Sequence, residues 1–274
     1  MLLELLPLWY QYTFVAVLGL IIGSFLNVYI YRLNTGKSLS GHSHCMSCGT
    51  GLRPYELVPL LSYLFLKGRC STCGCYIPAR YFIVELCTGI FFLLAYITAG
   101  NLIEFGYVAA LLCILIVITV YDIRHFIIPD ILTAALVVLT GAWQGYLIYL
   151  GGTWQALATT IGAALLGAGF FYLLWLVSDG RWIGFGDVKL AVPLGLMVGP
   201  TAVFSMIVFS FWIGAFISLL LIGFAKLIRG QVRLQNRIFT LTIKSAVPFA
   251  PFLVAGSLLV LFTHINVLSF FSTM

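Results

Sequence analysis

Charged residues are scarce in this chain, and their scarcity excludes most soluble folds. Asp, Glu, Lys and Arg together make up 8% of the 274 residues, against roughly 25% in a typical soluble domain. Hydrophobic residues make up 62%. The long apolar stretches that recur along the chain lack the alternating segments of about 10 residues that are typical of outer-membrane barrels. The composition therefore predicts an all-α polytopic membrane protein.

Lysine and arginine are missing from every second polar gap between the apolar stretches. All 14 of them lie in four parts of the chain, at residues 32–80, Arg124, residues 181–189 and residues 226–244. Because cationic loops stay on the cytoplasmic side, we expect all four parts to face the cytoplasm. Topology and anionic lipid then explain the net charge of +6 without a nucleic acid partner. No cation precedes Arg32, so the chain is expected to begin with a retained helix and not a cleavable signal peptide.

About eight transmembrane helices fit this charge pattern. The predicted helices cover residues 9–31, 82–99, 105–121, 127–149, 155–177, 187–199, 201–224 and 246–267. The sixth is shorter than the roughly 20 residues needed to span a membrane. It is therefore expected to be tilted, thinly covered, or re-entrant and buried against other helices. Close helix contacts are predicted at four glycines, Gly162, Gly167, Gly195 and Gly199.

One polar segment, residues 32–80, is large enough to fold outside the membrane. It contains two C-x-x-C pairs, Cys45 with Cys48 and Cys70 with Cys73, at a spacing close to that of zinc ribbons. A segment of about 50 residues has too little apolar core to fold alone, and a bound metal supplies the missing stability. The sequence therefore predicts a small cytoplasmic zinc-ribbon-like module between the first two helices. Redox-active or metal-free cysteines are the alternative.

The remaining cysteines and nearby histidines have simpler interpretations. Cys75, His42 and His44 could replace a zinc ligand but are expected to be bystanders. Cys87 and Cys113 lie within apolar helices and are expected to be packing residues. Zinc with four protein ligands has no open position for water, so the predicted role of the metal is structural.

Three of the eight acidic residues lie where a predicted helix begins or ends. Asp122 ends the third helix, Asp130 follows Pro129 at the start of the fourth, and Asp187 opens the sixth. Each alone could be a helix cap or an interface residue. Together they are expected at one cytoplasmic depth, where helix ends converge.

Two carboxylates at such a place can perform hydrolysis. Like charges about 3 Å apart cannot both ionise, so the pair shares a proton. One then acts as general base on a water while the protonated partner hydrogen-bonds the scissile carbonyl. We choose Asp122 and Asp187 as the pair, with Asp130 in reserve as a helix start or supporting residue. Gly184 and Gly186 would let a substrate strand approach and would permit unusual backbone dihedrals.

Five ordered motifs resemble the type IV prepilin peptidases, and the resemblance covers essentially the whole chain. They are "GSFLNVYIYRL" (23–33), "HCMSCGTGLRPYELVPLLSYLFLKGRCSTCG" (44–74), "RYFIVE" (80–85), "YDIRHFIIPDILT" (121–133) and "GFGDVKL" (184–190). That family contains G-x-G-D intramembrane aspartyl proteases of the bacterial cytoplasmic (inner) membrane. The resemblance implies catalytic aspartates at Asp122 and Asp187 and zinc ligation by the four cysteines of the two C-x-x-C pairs.

The resemblance also implies the reaction and the organisation of the chain. Family members cleave a short basic leader from prepilins or pseudopilins of pilus, type II secretion or DNA-uptake systems, at the cytoplasmic membrane face. Many then methylate the new N-terminus with S-adenosylmethionine. A Gly-Lys pair associated with methylation in relatives is Gly68-Arg69 here. The implied division is a first transmembrane helix (1–31), a zinc-binding module (32–80) and a transmembrane aspartyl peptidase domain of about seven helices (81–274).

Two other functions compete with this interpretation. Membrane acids can form the relay of a proton-coupled transporter, although such proteins often contain inverted repeats, and none is found here. A non-catalytic assembly protein could instead dock partners on the zinc module. Within "GSFLN", Gly23 and Ser24 favour close helix packing and Asn27 an interhelical hydrogen bond; contact with a substrate is the alternative for this motif.

Overall fold

The computed structural model describes residues 7–36, 38–227, 232–234, 237–239 and 247–267. Its helices are α1 (Leu8–Arg32), α2 (Leu61–Phe65), α3 (Arg80–Thr98), α4 (Leu102–His125), α5 (Asp130–Tyr149), α6 (Trp154–Val177), α7 (Phe185–Val198), α8 (Val203–Leu227) and α9 (Ala250–Thr263). A one-turn 3-10 helix at Pro54–Leu57 precedes α2, and the antiparallel strands β1 (Val232–Leu234) and β2 (Arg237–Phe239) follow α8. Three of the cations used for the topology, Lys37, Arg229 and Lys244, lie outside the described residues, as does residue 246, the predicted start of the last helix.

The predicted helical membrane architecture is confirmed in the described part of the chain. Six of its helices, α1, α3, α4, α5, α6 and α8, are long and apolar enough to cross a membrane. Two further apolar helices, α7 and α9, have 14 residues each. A helix of that length extends roughly 21 Å, which is short of the roughly 30 Å hydrocarbon core.

Local chemistry explains several helix ends. Pro129 precedes α5 and fixes its own φ at −65°, so the chain enters the helix at Asp130. The hydroxyl of Thr153 accepts the backbone N–H of Ala156 at 3.1 Å and caps α6. Gly199 ends α7 with a φ of +77°, which a residue with a side chain rarely adopts.

The chain divides into two compact units within α4, at Val117 and Ile118. In the first unit α1 packs along α3, with Val15, Phe92 and Ala109 at the centre of a buried cluster. The amide of Asn27 donates to the backbone carbonyl of Tyr81 at 3.0 Å, which confirms the interhelical hydrogen bond. Division of the chain at residues 31 and 80 stays a prediction.

Within "GSFLN", Gly23 lies at a close helix contact. A Cβ on Gly23 would lie 2.9 Å from the Cα of Glu85, so only glycine permits this approach of α1 to α3. The motif therefore brings the neighbouring Ser24 and Asn27 against the first turns of α3.

The second unit is organised around the short helix α7. Helices α5, α6, α8 and α9 all contact it, and seven of its 14 residues are buried. The amide of Gln144 on α5 donates to the carbonyl of Leu196 at 3.0 Å and satisfies one of the last carbonyls of α7. Because other helices cover α7, it does not need the length of a helix that faces lipid.

Two of the four glycines predicted at helix contacts are found there. A Cβ on Gly195 would lie 2.7 Å from the Cα of Ala164, and one on Gly167 would lie 2.8 Å from the side chain of Val203. The prediction is wrong for Gly162 and Gly199, where a Cβ would meet no described atom within 4 Å. At Gly199 the backbone dihedral, and not packing, requires glycine.

Replacing Gly195 with Val should force α6 and α7 apart. The backbone of Ala164 leaves no room for a side chain, and such overpacking typically costs about 1–3 kcal/mol. We expect a lower unfolding temperature for Gly195→Val in detergent. The matched control is Gly162→Val, made in open space on α6. Equal stability of the two variants would show that this helix contact is not tight.

Candidate active site and metal site

The last turn of α4 places Asp122 inside the second unit. The residue is 5% exposed, and the backbone N–H of Ala250 lies near its carboxylate. Ala250 is the first residue of α9, so Asp122 faces a helix end whose first N–H groups have no partner within the helix. The partial positive charge of a helix N-terminus stabilises a carboxylate at this position.

The first turn of α7 places Asp187 in a similar environment. Its side chain is 6% exposed. The backbone N–H of Gly184, the residue that precedes α7, donates to Asp187 Oδ2 at 3.2 Å. Asp187 therefore closes the start of its own helix, as an acidic residue at the third helical position commonly does.

The two carboxyl groups interact with each other. Asp187 lies within electrostatic reach of the charge on Asp122, and both are buried in the same unit. Two interacting carboxyl groups that water cannot fully solvate favour a state in which only one is ionised. Each is also held by the N-terminus of a helix, which stabilises whichever carboxylate carries the charge. The pair can thus supply one general base and one proton donor.

Asp130 has a different environment from the other two aspartates. It begins α5, its side chain is 76% exposed, and Lys189 Nζ lies 2.8 Å from its Oδ1. Lys189 follows Asp187 by two residues on α7, so the ion pair joins α5 to the helix that carries Asp187. Asp130 is therefore an exposed residue in an ion pair and lacks the burial of the other two aspartates.

The glycines around Asp187 provide space and not unusual dihedrals. Gly184 has an ordinary φ of −72°, so the expected use of rare backbone conformations is wrong at this residue. Gly186 lies within the regular helix α7, and a Cβ there would lie 3.2 Å from the side chain of Ile128. A Cβ on Gly184 would lie 3.5 Å from Asp187 Oδ2. A side chain at Gly184 would therefore cover the carboxylate.

The four predicted zinc ligands converge in the first unit. The sulfur atoms of Cys45, Cys48, Cys70 and Cys73 all lie within 4.8 Å of one another. Tetrahedral zinc with bonds of about 2.3 Å needs sulfur atoms about 3.8 Å apart, and the sulfurs of Cys45 and Cys73 are 3.8 Å apart. The cysteines therefore fit a zinc site with four thiolate ligands.

Two similar turns build this cluster. In each, the N–H of the first cysteine donates to the carbonyl five residues later, and the N–H of the glycine after the second cysteine returns to the first cysteine's carbonyl. Gly49 and Gly74 adopt φ values of +72° and +68° in these turns. The local hydrogen bonds thus preset the cysteines of both turns for a common ligand.

Two further groups bear on the metal site. Thr50 hydrogen-bonds Cys48 and lowers the pKa of that thiol to about 6, which favours the thiolate form that binds metal. Cys75 lies close as well, with its sulfur 3.4 Å from that of Cys45. It is a fifth thiol beside the cluster, so its predicted bystander role needs a direct test.

Gly68 and Arg69 lie beside this cluster and shape its surroundings. Gly68 has a φ of +66°, and a Cβ there would lie 2.9 Å from the ring of Tyr63. Arg69 pairs through its backbone with Tyr76. Both residues therefore lie against tyrosines that line a neighbouring cavity. The close approach of Tyr63 and the positive φ explain the glycine at position 68.

The groups that support the aspartates have little signal in the sequence. The N–H of Ala250 comes from a helix more than a hundred residues further along the chain, and only Pro251 near the start of α9 marks that helix end. The bond between Lys189 and Asp130 has no sequence signal beyond the opposite charges.

The class of the protein is clear from this arrangement. It is a helical membrane protein that buries a pair of interacting carboxylates, and a compact four-cysteine cluster lies in its N-terminal unit. Two family descriptions match the chain, the bacterial peptidase A24 N-terminal domain over residues 17–99 and the type IV leader peptidase family over residues 109–219.

Curated relatives match over nearly the whole chain. The prepilin leader peptidase/N-methyltransferase of Bacillus subtilis is 34% identical over 94% of this chain and 96% of its own length. The protein of the same name from Burkholderia pseudomallei is 32% identical over 94% of this chain and 87% of its own, and that from Pseudomonas putida 29% over 92% and 91%. The chain belongs to the type IV leader peptidase family. No solved structure matches it.

Proposed function

We propose that this chain is a prepilin peptidase of the bacterial inner membrane, with its active site facing the cytoplasm. It cleaves the short basic leader of type IV prepilins or pseudopilins and methylates the new N-terminus. The observation that carries the proposal is the buried, interacting pair Asp122 and Asp187, which lies within the part of the chain that matches the leader peptidase family. Nothing in the described structure favours a transporter or a docking protein.

Cleavage follows from one shared proton between the two carboxyl groups. The ionised aspartate removes a proton from water, and the water oxygen attacks the scissile carbonyl. The protonated aspartate donates a hydrogen bond to the carbonyl oxygen, where negative charge develops. Proton transfer to the leaving nitrogen then releases the leader and restores the pair. The helix N-termini at Ala250 and Gly184 hold the carboxylates in place throughout.

The four-cysteine cluster would hold a structural zinc ion. Cys45, Cys48, Cys70 and Cys73 supply four thiolates, so the metal contributes folding stability to the N-terminal module and no open coordination site. S-adenosylmethionine would serve as the methyl donor, in keeping with the names of the relatives.

A reconstituted cleavage assay tests the peptidase activity. The protein in lipid vesicles is mixed with a prepilin encoded in the same genome, and the product is sequenced from its N-terminus. We expect one cut, at the end of the basic leader. An intact substrate, under conditions in which the Bacillus subtilis relative cleaves its own prepilin, would contradict the proposal.

Methyl transfer has a separate test on the same product. With S-adenosylmethionine present, we expect the mature N-terminus to gain the mass of one methyl group; with the demethylated S-adenosylhomocysteine in its place, no mass should be gained. The measurement is intact-mass spectrometry of the cleaved product. An unmethylated product at saturating donor would restrict this chain to proteolysis.

A further inference from the structure

A large cavity lies in the first unit, between the cysteine module and the facing turns of α1 and α3. Its volume is about 760 Å³, within the range of about 300–1,000 Å³ that is usual for small-molecule sites. Its lining includes Ser24 and Tyr31 from α1, Arg80 and Glu85 from α3, and Tyr63 from the module. Neither catalytic aspartate candidate lines it, so peptide cleavage does not account for it.

At the start of α3, the cavity is lined by a cation with an unused donor. Arg80 Nη1 is buried and meets no hydrogen-bond partner among the described residues. The rest of its guanidinium is fixed, because Nη2 donates to the hydroxyl of Tyr81 at 3.1 Å and the group lies 4.8 Å from that ring's centroid. Buried polar groups nearly always have a partner, and the acceptor that suits a guanidinium is a carboxylate or phosphate. Arg80 therefore points to an anionic group on a ligand.

Five residues further along α3, the cavity is lined by a fixed carboxylate. Glu85 Oε2 accepts the backbone N–H of Leu60 at 2.9 Å, and Ser24 lines the cavity together with Glu85. Leu60 is a neutral partner, and a carboxylate can accept about four hydrogen bonds. Glu85 therefore has acceptor capacity left for a cationic group.

The loop that holds Glu85 is strained. Leu60 has a φ of +59° and a ψ of −49°, and the N–H of Leu61 reaches the carbonyl of Pro59 at 2.6 Å. This is the rarer and more strained kind of γ-turn. Strained backbone persists where surrounding contacts fix it, and it concentrates at functional sites. Glu85 supplies one such contact, so the carboxylate and the strained turn fix each other.

The two charged groups lie at different depths. Arg80 is the first residue of α3, a candidate membrane-spanning helix, and Glu85 lies roughly 7.5 Å further along the helix axis. In the proposed reaction the acceptor amine is created by cleavage at the membrane face, whereas the donor is a water-soluble molecule. The deeper carboxylate suits a membrane-borne amine, and the outer guanidinium suits the carboxylate of a soluble amino-acid derivative.

We propose that this cavity is the methyl-transfer site, in which Arg80 binds the carboxylate of S-adenosylmethionine and Glu85 binds the N-terminal amine of the cleaved pilin. The assignment rests on the proposed methyltransferase function and adds the location of both reactants. Arg80 and Glu85 are substrate-binding residues in this account. The tyrosines of the lining offer aromatic faces to the adenine and the sulfonium cation.

Methyl transfer between these two reactants accounts for every proton and electron pair. An α-ammonium with a pKa of about 8 releases one proton to water, and the neutral amine remains hydrogen-bonded to Glu85. Its lone pair forms the new N–C bond while the S–CH3 bond breaks, and the bonding electrons stay on sulfur as a neutral thioether. The product is a secondary ammonium, whose positive charge Glu85 stabilises.

Binding measurements on the full-length protein in lipid nanodiscs separate the two roles. Arg80→Gln should weaken S-adenosylmethionine binding roughly ten- to a hundredfold, the worth of a charged hydrogen bond, and Glu85→Gln should leave it unchanged. For the acceptor, the probes are a peptide of the first ten residues of the processed pilin and its N-acetylated form. The wild type should bind the free amine about tenfold more tightly, and Glu85→Gln should abolish that preference, whereas Arg80→Gln should keep it.

The fold can be checked separately for each variant. Gln at position 85 still accepts the N–H of Leu60, so the γ-turn is retained. The matched control is Glu56→Gln, since Glu56 also lines the cavity but is bound by the N–H of Arg53 and the hydroxyl of Ser71. This control should change neither affinity.

Two results would overturn the assignment. One is wild-type donor affinity in Arg80→Gln; the other is equal binding of the free and acetylated peptides by the wild-type protein, which requires no variant. Either could occur in a protein that methylates its product, so failure of this assignment is distinct from failure of the methyltransferase function. Wild-type protein that adds no methyl group would instead contradict the function itself.

Discussion

Asp122→Asn and Asp187→Asn should each lower the rate of prepilin cleavage by about a hundredfold to ten-thousandfold, the usual contribution of general acid–base catalysis. Asparagine keeps the size of the side chain and can still accept the N–H of Ala250 or Gly184, but it cannot take a proton from water or share one with its partner. The measurement is the single-turnover cleavage rate in lipid vesicles, with the unfolding temperature of each variant as the check on folding.

Asp130→Asn is the matched control for both variants. Asp130 lies in the same unit but is exposed and paired with Lys189, and an exposed ion pair contributes roughly 0–1 kcal/mol. We expect this variant to retain cleavage within about fivefold of the wild type. If Asp130→Asn lost as much cleavage activity as Asp187→Asn while Asp122→Asn stayed active, the partner of Asp187 would be Asp130 and not Asp122.

Removal of the metal should unfold the N-terminal module. Structural zinc contributes about 10–16 kcal/mol of folding free energy to small domains of this kind. A segment with so little apolar core cannot stay folded without that contribution. Cys45→Ser, or treatment with a strong chelator, should therefore remove zinc and expose residues 38–80 to protease. Elemental analysis measures the first effect, and limited proteolysis followed by mass spectrometry measures the second.

Cys75 provides the control for the ligand set. Its sulfur is near that of Cys45, but the two similar turns present Cys45, Cys48, Cys70 and Cys73 to a common centre. Cys75→Ser should keep one zinc ion per chain and a protease-resistant module. Loss of zinc in Cys75→Ser, together with retention in Cys73→Ser, would show that Cys75 is the ligand instead.

Helix positions were predictable because each apolar run ends at polar or charged residues, whose transfer into a membrane costs free energy. The charge pattern predicts the eight apolar helices found in the described residues. The short α7 was expected to be tilted, thinly covered, or re-entrant and buried, and its contacts with α5, α6, α8 and α9 favour burial. The predicted helix contacts failed at some glycines, because a glycine can serve either close packing or a positive φ. Gly195 packs against Ala164, whereas Gly199 supplies a positive φ, and composition alone does not distinguish these cases.

The sequence predicts which residue types form the site, but it does not predict the groups that contact them. Acids in an apolar chain are few enough to weigh one by one, so Asp122, Asp130 and Asp187 stand out. The position of the Ala250 N–H near Asp122, the ion pair between Asp130 and Lys189, and the hydrogen bond between Leu60 and Glu85 depend on which helix ends meet. Those meetings are set by packing between distant segments, which no local pattern encodes.

The turns of the zinc cluster, in contrast, are encoded by the local sequence. Both C-x-x-C pairs are followed directly by glycine, in "CMSCG" and "CSTCG", and both glycines take the positive φ that returns the chain to the first cysteine. The local sequence therefore encodes the local turn. Which four sulfurs meet still depends on how the two turns face each other.

Oxygen-18 labelling tests the central claim, that Asp122 and Asp187 activate a water molecule without bonding to the substrate. With enzyme in excess, one turnover in oxygen-18 water should place a single heavy oxygen on the new carboxylate of the leader. Peptides of the enzyme that contain Asp122 or Asp187 should keep their ordinary mass. Heavy oxygen in either aspartate would show that a carboxylate attacked the substrate directly, and would contradict the account.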